Sequence, residues 1–262
     1  MRKSILAMLA GGAAFLGAGA VQAAELQTPV APAVAQAEVG GWQFMVSPYL
    51  WAAGLSGNLA QFGARTIHVS PSFGDVLRNL DFAAMVIGEA RHERLSLFAD
   101  LMYTKLSIGS ATPRGILAER VRVTSKTMAG LFGVGYAVLQ DERGHLDLAV
   151  GVRAWKVSTD LSFSGGVLNG AASKDSASWV NAMAGVRGRY GLADNLFLTG
   201  WGMIGAGGAR LDWDVAAGLG YQFNEHISAV AGYRALGVDY RDNGFVFDVV
   251  QRGPILGLAV RF

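Results

Sequence analysis

The stretch DWDVAAGLGYQF, residues 212–223, alternates between bulky apolar side chains and small or polar ones. Because successive side chains of a β-strand point to opposite faces, this strand has one apolar face and one polar, glycine-rich face. The first face carries Trp213, Val215, Ala217, Leu219, Tyr221 and Phe223, and the second carries Asp212, Asp214, Ala216, Gly218, Gly220 and Gln222. Segments 146–154, 179–190 and 253–262 show the same alternation. The pattern predicts an all-β chain.

The composition indicates a membrane protein. Of the 262 residues, 52% are hydrophobic and only 16% are charged, whereas a soluble domain carries about 25% charged residues. A chain this apolar is not intrinsically disordered. The absence of Cys excludes a disulfide scaffold and any Cys-ligated metal or haem site.

Membrane-spanning helices are not expected after the N-terminal segment. Such a helix needs about 20 consecutive apolar residues, and uncharged stretches such as 127–140 and 195–209 are shorter and rich in Gly. Every backbone polar group in a bilayer must be hydrogen-bonded, so only helices and closed barrels span it. The alternating segments therefore predict a closed antiparallel transmembrane β-barrel.

Connecting segments of two kinds predict the number of strands. Short polar connections occur at 91–94, 141–144, 191–194 and 224–226, and more irregular ones at 109–118, 164–176, 206–209 and 241–244. In outer-membrane barrels the short turns face the periplasm and the longer loops face outward. The two kinds alternate and favour ten strands, with eight or twelve as alternatives. The expected strands are 42–57, 81–91, 95–108, 119–139, 146–163, 177–190, 195–206, 210–223, 226–240 and 245–262.

The first outer loop, residues 58–80, carries additional signals. Residues 65–70 favour a short strand outside the membrane. Ser72 followed by Asp75 is a capping box, and the apolar residues after it have helical spacing. We expect a short amphipathic helix in this loop; the alternative is a strand pair that raises the count to twelve. The apolar helix residues are Phe73, Val76, Leu77 and Leu80.

The first 41 residues are expected to precede the barrel and to begin with an export signal. Arg2 and Lys3 precede an uncharged, mostly small and apolar run that ends in small residues, which is typical of a cleaved secretory signal peptide at 1–23. Residues 24–41, rich in Ala and Pro, predict a flexible periplasmic tether, followed by the barrel at 42–262. The net charge of +2 comes entirely from Arg2 and Lys3, so the mature chain has 20 basic and 20 acidic residues.

The alternation places equal numbers of acids and arginines in the lumen. An unpaired interior charge is costly, so we expect a narrow lumen sealed by ion pairs. Open pores segregate the two signs; a small passive channel for polar solutes is the alternative. The expected lumen charges are Glu89, Arg91, Asp100, Asp147, Arg153, Arg187, Arg189, Asp212, Asp214 and Arg234.

The sequence does not favour an enzyme. Three of its four His, at positions 92, 145 and 226, fall in short turns, and no G-x-S-x-G or H-E-x-x-H motif occurs. A lipid hydrolase that uses His68 with Asp75 or Asp81 is the least favoured alternative. Asp212 and Asp214 share a face, but pairing with arginines is favoured over a cation site. No metal, cofactor or nucleic acid is expected.

The last residues, GLAVRF at 257–262, resemble the terminal signature of bacterial outer-membrane proteins. The resemblance implies that the barrel assembly machinery recognises Phe262 together with Val260 and Leu258. Segments 42–51, 72–81, 89–91 and 97–100 resemble small proteobacterial outer-membrane barrels of the porin-like or outer-membrane protein A-like type, without a periplasmic domain. The function of this group is uncharacterised.

The resemblance implies a location in the bacterial outer membrane after signal-peptide cleavage. Outer-membrane lipid and lipopolysaccharide are then the surroundings and expected partners. A structural or surface-interaction role is the expected function. The sequence does not determine the oligomeric state.

Overall fold

The computed structural model describes residues 41–111 and 118–262. The signal peptide predicted at 1–23 and all but the last residue of the tether predicted at 24–41 lie outside the described residues. No helix among the described residues is long and apolar enough to cross a membrane. The elements are β1 (Gln43–Trp51), β2 (Gly54–Ala60), β3 (Ile67–Val69), α1 (Phe73–Arg78), β4 (Leu80–His92), β5 (Leu95–Ala111), β6 (Arg120–Asp141), β7 (Gly144–Ser164), β8 (Ala172–Ala193), β9 (Leu196–Gly207), β10 (Leu211–Gln222), β11 (Ile227–Asp242) and β12 (Phe245–Arg261).

Antiparallel pairing closes the sheet into a barrel. β1 pairs with β4, each strand from β4 to β12 pairs with the next, and β12 pairs back with β1. Ten strands of the described residues, β1 and β4 to β12, form this closed ring. The expected closed antiparallel barrel with ten strands is therefore confirmed. We call the end with the short β4–β5, β6–β7, β8–β9 and β10–β11 connections the turn end, and the opposite end the loop end.

Two further strands extend the sheet at the loop end. β2 continues β1 against β12 in an unchanged register, with Trp51 opposite Ile255 and Gly54 opposite Arg252. The backbone of Ala52 passes so close to Gly253 that a Cβ atom there would lie 2.0 Å from the Ala52 carbonyl oxygen. β3 pairs with β2. The expected short strand in the first outer loop is thus confirmed, and β2 and β3 stand outside the ring of ten.

The predicted loop helix is present as α1. The Asp75 backbone N–H donates to Ser72 Oγ at 3.2 Å, and the Ser72 backbone N–H donates to Asp75 Oδ2 at 3.0 Å. Ser72 Oγ also donates to Asp75 Oδ2 at 2.6 Å, and this bond together with the one from the Ser72 backbone N–H holds the pKa of Asp75 below its ordinary value. The assignment of Leu80 to the helix is wrong, because α1 ends at Arg78. The Ser107 backbone N–H donates to the Asn79 carbonyl oxygen at 2.8 Å and draws the chain into the sheet.

Two of the connections at the loop end are tighter than expected. β9 and β10 are separated by residues 208–210, and β11 and β12 by Asn243 and Gly244. The φ angles of Asn243 and Gly244 are 45° and 84°, which is the geometry of the two-residue hairpin turns that Asn-Gly favours. The irregular loop predicted at 241–244 is therefore wrong, and the connection predicted at 206–209 is present but lies at 208–210.

The outer wall is apolar around the ring. Along β7, Leu148 and Val150 are 55% and 61% exposed, whereas Asp147 and Arg153 on the opposite face are each 1% exposed. The other alternating strands likewise expose large apolar side chains, among them Val180, Leu219, Leu256 and Leu258. A closed ring with an apolar exterior suits a hydrocarbon environment.

Glycine packing inside the wall predicts a sensitive position. Gly151 lies opposite Gly133, and a Cβ atom at Gly151 would lie 2.4 Å from the Phe132 carbonyl oxygen. Gly151→Ala should lower the free energy of unfolding by about 1–3 kcal/mol, as overpacking typically does. Gly202→Ala is the matched control, since its Cβ would contact only Val215 Cγ1 at 3.9 Å. Urea midpoints of the refolded proteins in detergent test this; equal midpoints would contradict it.

Candidate functional site

Three groups of inward-facing side chains follow one another along the barrel interior. The turn-end cluster comprises Glu89, Arg91, Ser96, Asp147, Arg187, Arg189, Gln222 and Arg261. The central network comprises Tyr49, Asp100, Arg153, Asn181, Asp212, Asp214 and Arg234. The aromatic plug, near the loop end, comprises Trp155, Trp179, Tyr240, Phe245 and Phe247.

Arg234 is the hub of the central network. Its Nη2 donates to Asp100 Oδ2 and to Asp214 Oδ2, both at 2.6 Å, and its Nε donates to Asp214 Oδ1 at 3.0 Å. Its Nη1 donates to the Tyr49 hydroxyl at 2.7 Å, and that hydroxyl donates to Asp100 Oδ1 at 2.8 Å. Residues on β1, β5, β10 and β11 are thereby joined through one guanidinium.

Arg153 extends the network from β7. Its Nη1 donates to Asp212 Oδ1 at 2.7 Å and its Nη2 donates to Asp214 Oδ2 at 2.6 Å. The remaining oxygens of the two aspartates accept from neutral donors: Asp212 Oδ2 from Trp155 Nε1 and Asn181 Nδ2, both at 2.8 Å, and Asp214 Oδ1 from Trp201 Nε1 at 3.0 Å. Arginines and neutral donors therefore occupy the position that an Asp212–Asp214 cation site would need.

The central network is shielded from solvent. Arg234, Asp212 and Asp214 are 0% exposed, and Arg153 is 1% exposed. Side chains that line a water-filled passage would contact that water. At this level the barrel interior is therefore packed rather than open.

The aromatic plug covers the network on its loop-end side. The rings of Trp179 and Tyr240 stack with centroids 4.0 Å apart and an interplanar angle of 10°. Trp155 also stacks with Trp179, with centroids 5.8 Å apart, and Phe247 contacts both tryptophans. Aliphatic side chains complete the packing: Val157, Leu236, Val238 and Val249.

The aromatic plug was not expected from the sequence, because the inward faces of transmembrane barrel strands are polar or small. Near the β11–β12 turn the alternation has the opposite sense: Tyr240 and Phe247 point inward, while Asp239 and Asp248 point outward. Here the wall has left the apolar belt, so its outside is polar and its inside is apolar. This reversal of phase along one strand is the signal that predicts such a plug.

The turn-end cluster holds the other five predicted lumen charges, and four of them pair with one another. Arg91 binds both oxygens of Asp147 and donates from Nε to Glu89 Oε1 at 3.1 Å. Arg187 Nη2 donates to Glu89 Oε2 at 3.1 Å, and its guanidinium carbon lies 4.0 Å from the ring centroid of Phe98. Both carboxylates of this cluster are thus used by Arg91 and Arg187.

Arg189, the last of the ten predicted lumen charges, has a different kind of partner. Its Nη2 donates to Gln222 Oε1 at 2.9 Å, and its guanidinium carbon lies 3.5 Å from the ring centroid of Phe197. Arg261 Nη1 donates to the same Gln222 oxygen at 3.1 Å. Neither Gln222 nor Arg261 was predicted as a network member, because strand alternation gives the face of a residue but not its cross-barrel partner.

Two cavities differ in size and position: a very small one lies inside the barrel, and a larger one lies on its outer surface. A space of about 20 Å³ lies between Phe98, Asp100 and Arg187, which is room for about one water molecule. A groove of about 530 Å³ runs along the turn-end wall between β6 and β10. Outward-facing residues line much of this groove, so it belongs to the apolar exterior.

His68 does not form the pair considered in the sequence analysis. Its Nδ1 lies 3.2 Å from Asn58 Oδ1. Asp75 bonds instead to Ser72 and Arg78, and Asp81 accepts from Ser107 Oγ at 2.7 Å and lies 3.2 Å from Lys105 Nζ. Among the described residues, no group of three or more His, Cys, Asp and Glu side chains is arranged to hold a metal ion.

Comparisons with known proteins agree with this architecture. A family model described as "Protein of unknown function, DUF481" matches residues 124–239. The outer membrane protease OmpT from Escherichia coli is 11% identical, with 84% of this chain and 97% of that chain covered at a TM-score of 0.50. The chain has the fold of a small outer-membrane β-barrel.

Two other solved structures are similar over most of the chain. The attachment invasion locus protein Ail of Yersinia pestis is 11% identical, covering 85% of this chain and 99% of that chain at a TM-score of 0.36. Neisserial surface protein A is 12% identical, covering 85% and 97% at a TM-score of 0.32. A search of curated proteins gave no significant match.

The buried Arg234 hub predicts a large and selective loss of stability. Arg234→Met should lower the free energy of unfolding by about 3–5 kcal/mol, because Asp100 and Asp214 would be left buried without their cation. The control is Arg241→Met, which removes exposed ion pairs with Asp239 and Asp248 and should cost about 1 kcal/mol or less. Urea unfolding of both variants in the same detergent tests this. Similar midpoints for the two would contradict a central role for Arg234.

Proposed function

We propose that this protein is a closed, non-enzymatic β-barrel of the bacterial outer membrane with a structural or surface-interaction role. The observation that carries the proposal is the burial of Arg153, Arg234 and Leu236 at mid-barrel, with 1%, 0% and 0% exposure. The absence of solvent contact at these side chains supports a lumen without a continuous aqueous path. The barrel then acts through its wall and its loops rather than through a pore.

The arrangement of charge supports a closed lumen over a channel. Pores that select solutes place charges of one sign in rings or on one wall. Here acids and arginines meet in the same network, where Arg234 binds Asp100 and Asp214 and Arg153 binds Asp212 and Asp214. A small diffusion channel is the alternative, and it would require both the central network and the aromatic plug to rearrange.

A hydrolase has little support from the described side chains. His68 has an amide partner, Asn58, in place of a carboxylate, so it lacks the group that would orient it as a base. The other three His belong to the turn end, away from the loops. We therefore propose a non-catalytic role.

Three lysines on the loop-end exterior, Lys105, Lys126 and Lys156, form a basic patch. This patch supports the proposal that anionic lipids of the outer leaflet, such as lipopolysaccharide, are partners. Lys105 lies directly opposite Lys126 on the neighbouring strand, where two like charges repel. Each has one carboxylate partner, Asp81 at 3.2 Å and Asp160 at 3.1 Å. Lys156 lies opposite Met128, one outward row closer to the turn end. Phosphate groups at this level would relieve the repulsion.

The level of this patch fits the membrane boundary. Tyr103 lies on the same strand face two residues from Lys105, and its ring contacts that of Phe82 at a centroid distance of 5.9 Å. Aromatic girdles mark the interfaces of transmembrane barrels. The lysines therefore stand where headgroup phosphates would lie.

The last strand supports recognition by the barrel assembly machinery. Leu258 and Phe262 are 47% and 69% exposed and lie on the outward row of the C-terminal segment together with Val260. The Phe262 backbone N–H donates to the Phe44 carbonyl oxygen at 3.0 Å. These side chains would be accessible before the barrel closes.

Conductance measurements test the closed state. The refolded protein in planar bilayers should show no steady unitary conductance. Arg234→Met should also show none as long as the aromatic plug stays packed. The double variant Trp179→Ala, Tyr240→Ala removes the stacked pair of the plug. Of these variants, it is the one expected to conduct ions. Steady, porin-sized conductance of the unmodified protein would overturn the closed state in favour of the channel.

Lipid binding tests the basic patch. The double variant Lys105→Gln, Lys156→Gln should bind purified lipopolysaccharide at least about five-fold more weakly, since each lysine near a phosphate contributes about 1 kcal/mol. The matched control, Arg65→Gln with Arg210→Gln, also removes two loop-end charges but leaves the patch intact. Native mass spectrometry of lipopolysaccharide titrations gives the measurement. Equal losses in the two double variants would contradict a specific patch.

A further inference from the structure

We infer that the turn-end cluster contains a binding site for a compact oxyanion of the phosphate class, formed by Arg189 and Arg261 around Gln222. The inference depends on the barrel fold and the contacts of these side chains. It does not depend on whether the lumen conducts.

The two guanidinium groups converge on one neutral acceptor. Arg189 Nη2 and Arg261 Nη1 donate to the same Gln222 Oε1, at 2.9 and 3.1 Å. The Gln222 side-chain nitrogen is used by the backbone, since it donates to the carbonyl oxygens of Asn224 and Ile227. This fixes the amide so that its oxygen points to the arginines. Two like charges are thereby held side by side.

The two inward carboxylates of the turn-end cluster form their ion pairs with other arginines within the described part of the chain. Glu89 and Asp147 are the inward carboxylates of the turn-end cluster, and their ion pairs are with Arg91 and Arg187. Arg189 and Arg261 form no ion pair among the described residues. The cluster therefore carries four guanidinium groups and two carboxylates, an excess of two positive charges.

The excess positive charge is carried by guanidinium groups, which favours an oxyanion as the ligand. A guanidinium presents several N–H donors in a planar fork that matches phosphate or carboxylate oxygens, and Gln222 uses only one N–H of each arginine. The Phe197 ring supports one face of Arg189, with the guanidinium carbon 3.5 Å from the ring centroid, which limits the directions in which its free N–H groups point. Two converging forks suit a group with three or more oxygens.

The site lies at the turn end of the interior. Arg189, Gln222 and Arg261 are half-buried, so a small anion can reach them. The central network and the aromatic plug separate them from the loop end. In an outer-membrane barrel the short turns face the periplasm, so the anion would come from that side, either as a free phosphate or as a lipid headgroup.

Phosphate titration of the refolded barrel in neutral detergent tests the site. Inorganic phosphate, followed by calorimetry at constant ionic strength against chloride, should bind saturably. Arg189→Gln and Arg261→Gln should each weaken binding at least about ten-fold, while Arg189→Lys, which keeps the charge, should retain part of it. Arg210→Gln, at a 73% exposed side chain in the loop-end turn, is the control and should bind phosphate normally.

The outcomes separate the sources and decide the inference. Competition of phosphate binding by phosphatidylglycerol in nanodiscs identifies a headgroup as the source; binding of glycerol phosphate without such competition identifies a soluble anion. Urea midpoints establish that each variant is folded. Absence of saturation in the unmodified protein, or equal weakening by Arg210→Gln, overturns the site. Neither result alters the expected conductance, so the proposed closed state is tested independently.

Discussion

The contact of Arg234 with Asp214 and Asp100 is the interaction on which the rest of the barrel depends. A guanidinium with no solvent exposure must have carboxylates around it, because removing one partner leaves a charge buried without compensation. Arg234 satisfies this by joining β11 to β10 and, across the interior, to β5. Closure of the ring and neutralisation of its interior are therefore coupled.

The buried network divides the interior into two unequal environments. Towards the loop end the wall has left the apolar belt, and aromatic rings fill the interior around Trp179. Towards the turn end the arginines outnumber the acids, and Arg189 and Arg261 share a neutral amide. The excess positive charge of the interior therefore lies at the turn end, on the opposite side of the network from the aromatic rings.

Much of the fold can be predicted from local sequence patterns, whereas the contacts of the candidate site can be predicted only in part. The strand alternation, the short polar turns and the capping box at Ser72 predict the ten strands and the loop helix, because each is decided within a few residues. The aromatic plug escaped prediction because the inward face changes from polar to apolar along β11. Gln222 and Arg261 were missed since their common contact with Arg189 joins strands that lie far apart in the chain.

The sequence by itself determined which side chains face inward, because a period of two residues assigns every position of a strand to one face. It also predicted five acids and five arginines in the lumen, to which the structure adds Arg261 as a sixth arginine. Only the tertiary structure decided the partners: Arg234 meets Tyr49, 185 residues away, and Arg187 meets Glu89, 98 residues away. The reason is physical, since such contacts exist only after the ring has closed and its stagger has set the height of each side chain.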